Sequence, residues 1–363
     1  MSPWKLWLRR VHLWCAVAGG LVVIALGVSG TVLVFREEIE RAFYDPTIAP
    51  TSSRSSIAAA AARATSLYTE RRLALVVLPT RDDAPYEFVL QVRGARTLGE
   101  ADQLSVYVDP GSGEVIGQRR RRDSIIWTLR DLHFALFSGV TGLMANGLFG
   151  ALLAVMSVTG LVLWLARPSG RFTVKWRANW KRVTWDLHQV VGALSFLVLT
   201  LTGATGVYYA FRAPVTTAIL AVTASPPLPR VPTVTRADGA VGLDLDTLIA
   251  AVAPAFPLRS IAVVRLPASP TQPYTFTAHA PGDIGESIES GLSAYVDPYT
   301  GRVLQLTHTS EDSLGQRVIG AIEPLHFGTV GGLTTRIVWA LAGLAPAFLA
   351  VSGGLMWWNR RSR

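Results

Sequence analysis

Residues 11–35 read VHLWCAVAGGLVVIALGVSGTVLVF, and residues 190–211 read VVGALSFLVLTLTGATGVYYAF. Neither stretch holds a charged residue, and each covers the roughly 20 residues a bilayer-spanning helix needs. Leu143 to Ala166 and Ile337 to Trp358 are runs of the same kind. Half of the 363 residues are apolar and only 16% are charged, against about 25% in a soluble globular chain. The sequence therefore predicts an integral membrane α-helical core of four transmembrane helices. An N-terminal secretory signal is the competing reading of the first run. That run exceeds the roughly 7 to 15 residues of a signal core, no small-x-small site follows it, and three more spans lie downstream.

Basic residues give the orientation, because Lys and Arg are retained in short cytoplasmic loops. Lys5, Arg9 and Arg10 precede the first run. Arg167, Arg171, Lys175, Arg177, Lys181 and Arg182 fill the stretch between the second and third, and Arg360, Arg361 and Arg363 end the chain. None of these segments holds an acidic residue. The net charge of +9 thus reports topology and gives no reason to expect a nucleic-acid partner. Both termini and the central loop are expected in the cytoplasm, with residues 37–142 and 213–336 outside. Trp4, Trp7, Trp14, Trp164, Trp176, Trp180, Trp185, Trp357 and Trp358 fall near the expected cytoplasmic ends of spans, as an interfacial aromatic belt would. Cys15 is the only cysteine, so no internal disulfide is possible.

The two halves of the chain match element for element, an internal two-fold repeat. Leu104 to Gly113 (LSVYVDPGSG) recurs as Leu292 to Gly301 (LSAYVDPYTG). Alternating apolar residues run into Asp-Pro-x-[Ser/Thr]-Gly, in which Asp opens a turn, Pro presets φ and Gly takes the positive φ that releases the next strand. Glu114 to Gln118 and Arg302 to Leu306 then form second strands. Upstream strands are expected at 73–78 and 86–92, and again at 261–266 and 274–280, each set preceded by a helix (56–68 and 245–255). The outer segments read as two small α+β domains. Gly111, Gly113 and Gly117 belong to a hairpin and not to a dinucleotide loop, since no strand-to-helix transition surrounds them.

Histidines repeat with the spans. His12 is followed by Gly27, Gly30 and Phe35-Arg36, and His188 by Gly203, Gly206 and Phe211-Arg212 at the same offsets. Leu132-His133-Phe134 matches Leu325-His326-Phe327, with Gly150, Gly160 and Trp164 answering Gly343, Gly353 and Trp357. An ionisable side chain in or beside a span is costly and marks a candidate site. His12 and His188 lie near cytoplasmic span ends and are expected to share one site. His133 and His326, on short helices broken from their spans at Ser138–Gly142 and Gly328–Gly332, are expected to share another. At about 100° per residue, Gly19 and Gly30 fall on the His12 face and Gly192 and Gly206 on the His188 face. These glycines read either as a slot for a large flat ligand or as a small-residue helix contact. Haem suits paired neutral imidazoles from facing helices, and two haem b groups would form an electron path across the bilayer. Zinc or copper would normally want further Cys, Asp or Glu ligands. A proton relay would normally add embedded acids. Interfacial imidazoles capped by carbonyls are the plain alternative. Arg36 and Arg212 read as end-caps at the outer mouth, and His279 and His308 as ordinary residues of the sheet or surface.

The R-x-H-L-W start at Arg10 to Trp14, the W-D-L-H-x-x-x-G element at Trp185 to Gly192, the two L-H-F elements and the repeated Y-V-D-P-x-[ST]-G hairpins resemble the PepSY-associated transmembrane proteins. That iron-regulated inner-membrane family includes ferric-siderophore reductases. The resemblance covers essentially the whole chain. It implies TM1 with a cytoplasmic N-terminus at 1–36, a periplasmic PepSY-like domain at 37–123 and an interfacial helix with TM2 at 124–166. It further implies a cytoplasmic loop at 167–185, TM3 at 186–212, a second PepSY-like domain at 213–310, and an interfacial helix, TM4 and tail at 311–363. The likeness makes His12, His188, His133 and His326 axial ligands of two b-type haems that pass electrons to a periplasmic ferric siderophore. Membrane lipid and a separate cytoplasmic or membrane electron donor are the partners it implies, since no flavin or nicotinamide domain is fused here. A haem-free scaffold whose outer domains bind peptides or proteins, and an electron conduit to another acceptor, are the competing functions.

Overall fold

The computed structural model describes residues 2–50, 54–94, 102–166, 172–236, 239–279, 292–307 and 312–361. The chain divides into two compact units: Met1–Arg36, Thr128–Thr223 and Ala321–Arg363 form one, and Glu37–Trp127 with Ala224–Gly320 form the other. In chain order the elements are α1 (Pro3–Leu33), α2 (Arg36–Phe43), α3 (Ile57–Ser66), β1 (Arg71–Val77), β2 (Tyr86–Val92), β3 (Leu104–Val108), β4 (Val115–Arg120), α4 (Ile125–Ala135), α5 (Gly139–Leu165) and α6 (Trp180–Ala210). There follow α7 (Arg212–Val222), α8 (Leu245–Val252), β5 (Ser260–Arg265), β6 (Tyr274–His279), β7 (Leu292–Val296), β8 (Val303–Thr307), α9 (Leu314–Phe327) and α10 (Gly332–Arg361). Of the sequence-derived features, Arg167, Arg171, Arg363 and His308 lie outside the described residues.

Among the described residues, four helices are long and apolar enough to cross a membrane: α1, α5 and α6, at 31, 27 and 31 residues, and α10, over the 28 residues Gly332–Asn359. They form a closed bundle in which α1 packs on α5 and α10, and α6 packs on the same two. Glycine sets how closely they approach. A Cβ on Gly27 would lie 2.4 Å from the Gly343 carbonyl oxygen, and one on Gly203 would lie 2.7 Å from that of Gly150. Backbone therefore touches backbone in the α1–α10 and α5–α6 pairs, the small-residue contact expected where lipid offers no hydrophobic drive to associate. The guanidinium that caps the end of α1 is that of Arg336, which is buried in α10 and donates to the Val34 carbonyl at 2.6 Å. Arg36 and Arg212 lie over the rings of Phe327 and Tyr208.

Both histidine-bearing short helices are broken from their spans, but the first break is displaced from its expected place. It falls at Leu136–Ser138, overlapping the expected stretch only at Ser138: Leu136 and Phe137 take φ of 47° and 56°, and α5 already begins at Gly139. Gly142 serves the turn differently: a Cβ there would sit 1.7 Å from the Ala135 carbonyl oxygen. The second break is where the sequence puts it, with Gly328 and Gly332 at φ of 73° and 63° and Thr335 donating to the Gly328 carbonyl at 2.6 Å.

In the other unit, the strands expected as two separate modules join in one eight-stranded antiparallel sheet, ordered β4-β3-β2-β1-β5-β6-β7-β8. The joint pairs Val76 with Val264 and Val77 with Val263. Separate modules would each expose an edge strand of almost unbroken apolar residues, and pairing β1 with β5 removes both edges. Helices α3 and α8 pack over the core of Tyr86, Phe88, Leu90, Val106, Val264, Phe276 and Val296. Each hairpin closes as its motif requires. Asp109 Oδ1 accepts from the Gly111 amide at 2.7 Å with Gly113 at φ 71°, and Asp297 Oδ1 accepts from the Tyr299 amide at 2.8 Å with Gly301 at φ 70°. His279 lies in β6 and is buried.

Two contacts tie elements of this unit together without any sequence motif to announce them. Asp246 of α8 caps α3, accepting from the Ile57 and Ala58 amides at 2.9 and 3.0 Å and from the Ser56 hydroxyl. Arg119 of β4 reaches α2 and the chain after it, pairing with Glu40 at 3.4 Å and Asp45 at 3.1 Å. Burial holds the Glu40 carboxyl above the usual carboxylate range, against the pull of Arg119.

Candidate functional site

All four repeated histidines lie in the membrane-helix unit, each on a different helix: His12 on α1, His133 on α4, His188 on α6 and His326 on α9. The structure brings them together as two pairs. The His133 and His326 rings have centroids 6.1 Å apart at an interplanar angle of 63°. His12 and His188 sit on diagonally placed helices, His12 against Thr159 of α5 and His188 against Ser352 of α10. Some 17 residues of α1 separate His12 from Ser29, which touches His133, so the pairs stand about 25 Å apart along the bundle. That is most of a hydrocarbon core about 30 Å thick.

Each imidazole is held through Nδ1 by a hydroxyl from a neighbouring helix. His12 meets Thr159 Oγ1 at 3.0 Å, His133 meets Ser29 Oγ at 3.0 Å, His188 meets Ser352 Oγ at 2.8 Å and His326 meets Thr205 Oγ1 at 2.7 Å. A glycine follows every one of these hydroxyl residues. A Cβ on Gly30 would come within 2.9 Å of His133 Cε1, one on Gly160 within 3.2 Å of His12 Cε1, and one on Gly353 within 3.5 Å of His188 Cε1. The repeated element is therefore a Ser/Thr-Gly dipeptide whose hydroxyl meets Nδ1 at all four histidines, and whose glycine leaves bare backbone beside the ring at His133, His12 and His188 but not at His326. Sequence reading singled out several of these glycines and overlooked the hydroxyls. Yet Ser29 and Thr205 stand at one offset from His12 and His188, and Thr159 and Ser352 at one offset from His133 and His326.

The glycines first assigned to the site distribute differently from the expectation. Gly30 abuts His133 and not His12, because it lies on the same face of α1 but near the opposite end. Gly19 packs against Leu152 and Phe149 of α5, a helix–helix contact. On Gly192 a Cβ would make ordinary contact with Leu349 at 3.7 Å, and on Gly206 it would meet nothing within 4 Å. Other groups support the His133–His326 pair: Asn146 Nδ2 donates to the His133 carbonyl, Trp339 Nε1 donates to the Leu325 carbonyl at 2.7 Å, and the Tyr209 ring lies 5.2 Å from that of His326. Near the other pair, Asp186 is fully buried and accepts from Arg182 Nε at 3.0 Å and from the Lys175 amide at 3.2 Å, fastening the loop ahead of α6.

Two imidazole nitrogens facing each other across a first-row metal lie about 4 Å apart, which places their ring centroids roughly 6 Å apart. The His133–His326 spacing meets that requirement. No group of three or more His, Cys, Asp or Glu side chains among the described residues could hold an ion. A donor set of two imidazoles alone suits a metal whose remaining ligands come from a macrocycle. The sheet unit holds a cavity of about 380 Å³ lined by Tyr68, Glu70, Arg71, Gln118 and Arg119 among others. Its inner guanidiniums are engaged with Asp102, Glu40 and Asp45, and it does not contain the repeated histidines.

No curated protein gives a significant match to this sequence. The family described as PepSY-associated TM region matches residues 9–360, nearly the whole chain, with the four histidines and the four hydroxyl partners inside the matched span. The chain belongs to the PepSY-associated TM region family.

Proposed function

We propose that this protein is a di-haem b electron-transfer protein of a bacterial inner membrane, reducing ferric siderophores on the periplasmic side. The observation that carries the reading is the fourfold repetition of one arrangement: an imidazole on each of four helices, its Nδ1 engaged by a Ser or Thr hydroxyl, and its rings gathered in two pairs. An edge-to-face ring contact would account for the 6.1 Å spacing of one pair, but not for hydroxyl partners on all four rings. His12 with His188, and His133 with His326, would each hold one haem. Haem held there supplies one-electron chemistry at a potential set by its ligands and surroundings.

The distribution of Lys and Arg supports cytoplasmic termini, with the His12–His188 pair on the cytoplasmic half and His133–His326 on the periplasmic half. The chain's own residues divide the work accordingly. Asp186 and Arg182 fix the approach to the inner pair, where a separate donor would deliver electrons. Asn146, Trp339 and Tyr209 hold the short helices that present the outer pair. A ferric siderophore is the expected acceptor, since Fe(II) carries less charge than Fe(III) and binds hard oxygen ligands less strongly, so reduction frees the iron without destroying the chelator.

Purified protein is expected to contain two haems per chain and to show a reducible Soret band with sharp α and β bands. Adding a ferric siderophore to the dithionite-reduced, desalted protein should reoxidise it. A colourless preparation would favour a haem-free scaffold, and a reducible protein indifferent to ferric chelates would favour another periplasmic acceptor.

A further inference from the structure

We infer that the four hydroxyls of Ser29, Thr159, Thr205 and Ser352 are positioning residues that fix one tautomer of the histidines and tune the metal bound to them; this rests on the haem reading above. The argument begins with a hydrogen count. A hydroxyl has one proton to give, and each of these four is close to the carbonyl four residues back in its own helix. Ser29 donates to Ala25, Thr159 to Val155, Thr205 to Leu201 and Ser352 to Phe348, all at 2.7 Å. With that proton committed, the oxygen can only accept from the imidazole. Nδ1 must then carry the hydrogen, leaving the Nε2 lone pair for a metal. At His133 a second acceptor forces the same tautomer, because the Leu26 carbonyl, which cannot donate, lies 3.0 Å from Nδ1.

The choice of acceptor also bears on the electronics. A carboxylate on Nδ1–H would push the ring toward imidazolate and raise its basicity. A neutral hydroxyl already committed to a backbone carbonyl is a weaker acceptor, so these ligands stay closer to neutral imidazole. It also spares the bilayer interior a charge. Thr205 is the most informative of the four. Among the described residues no backbone carbonyl meets Nδ1 of its partner His326, whereas Leu26 would partly replace Ser29 at His133.

The test compares Thr205→Val, which keeps the branched shape and removes the hydroxyl, with Thr205→Ser, which keeps the hydroxyl. In the haem-loaded protein, Thr205→Val is expected to raise the midpoint potential of one haem in a redox titration and to alter one low-spin ferric EPR signal, with about tenfold or greater loss in retention of that haem. Thr205→Ser should restore all three. Independently of haem, 15N spectra of the histidine-labelled, haem-free chain should show Nδ1 protonated and Nε2 unprotonated at His326 in wild type, with that preference lost in Thr205→Val. Wild type with two haems and a Thr205→Val protein identical in potential, EPR and tautomer would overturn the positioning role while leaving the haem reading in place. Wild type that binds no haem would bring down both.

Discussion

At the scale of single residues, the glycine that follows each hydroxyl is as informative as the hydroxyl itself. Gly30 leaves the His133 ring a seat 2.9 Å from where a Cβ would stand, too close for any side chain. Gly30→Val is therefore expected to displace His133 and, on the di-haem proposal, to reduce haem content from two per chain to one, measured by pyridine haemochrome assay against protein concentration. Gly206 is the contrasting control: a Cβ there meets nothing within 4 Å, so Gly206→Ala should keep both haems. Loss from Gly206→Ala, or retention in Gly30→Val, would contradict this account of the ring seats.

At the scale of elements, α2 is held to the sheet by charge as well as by chain connection. Arg119 and Glu40 have side chains only 13% and 23% exposed, and Ser124 also donates to Glu40 at 3.1 Å. Removing Arg119 leaves a buried carboxylate uncompensated, a change worth roughly 3–5 kcal/mol when one partner of a buried pair is deleted. The Glu40 carboxyl already sits above the usual range in the folded protein because of burial. A raised folded pKa stabilises the fold below the ordinary carboxylate pKa, and that stabilisation is lost as pH rises through the raised value. Arg119→Met should push the folded value higher still, so its destabilisation should be larger at pH 8 than at pH 5 in thermal unfolding of the full-length protein. The cap on α3 has the opposite sign. Burial opposes ionisation of Asp246, but hydrogen bonds from Ser56 and the Ala58 and Ile57 amides outweigh it and hold its pKa below the ordinary value. Asp246→Ala is expected to destabilise the sheet unit by about 1–3 kcal/mol, with the difference from wild type shrinking as pH falls through the carboxylate range.

At the scale of the molecule, the sheet joins sequence-distant halves through a single strand pair, β1 with β5. Val264 pairs with Val76 at the middle of that joint, and proline there would remove a ladder hydrogen bond in a central strand. Val264→Pro should sensitise segments from both halves of the sheet to limited proteolysis together; cleavage confined to one half would show the halves to be independent. The proposed orientation is tested with the only native thiol, Cys15, replaced by Ser. Ser112→Cys should react with a membrane-impermeant maleimide in intact spheroplasts, and Lys175→Cys only after permeabilisation. The reverse pattern would invert the topology.

Length and composition of apolar runs settled the four spans from the sequence alone, because a bilayer demands some 20 apolar residues wherever a chain crosses it. The hairpins were equally legible, since Asp-Pro-x-[Ser/Thr]-Gly closes through contacts within five residues. Pairing of the histidines could be read from matched offsets, but not which neighbour seats which ring. Helical periodicity gave Gly30 the right face of α1 and the wrong histidine, because face repeats every few residues while height along a helix has meaning only relative to what packs there. The hydroxyl on each Nδ1, the union of eight strands in one sheet, the Asp246 cap and the Arg119 clasp all join residues far apart in the chain. Such contacts depend on how elements dock, and no local pattern of residue types encodes that.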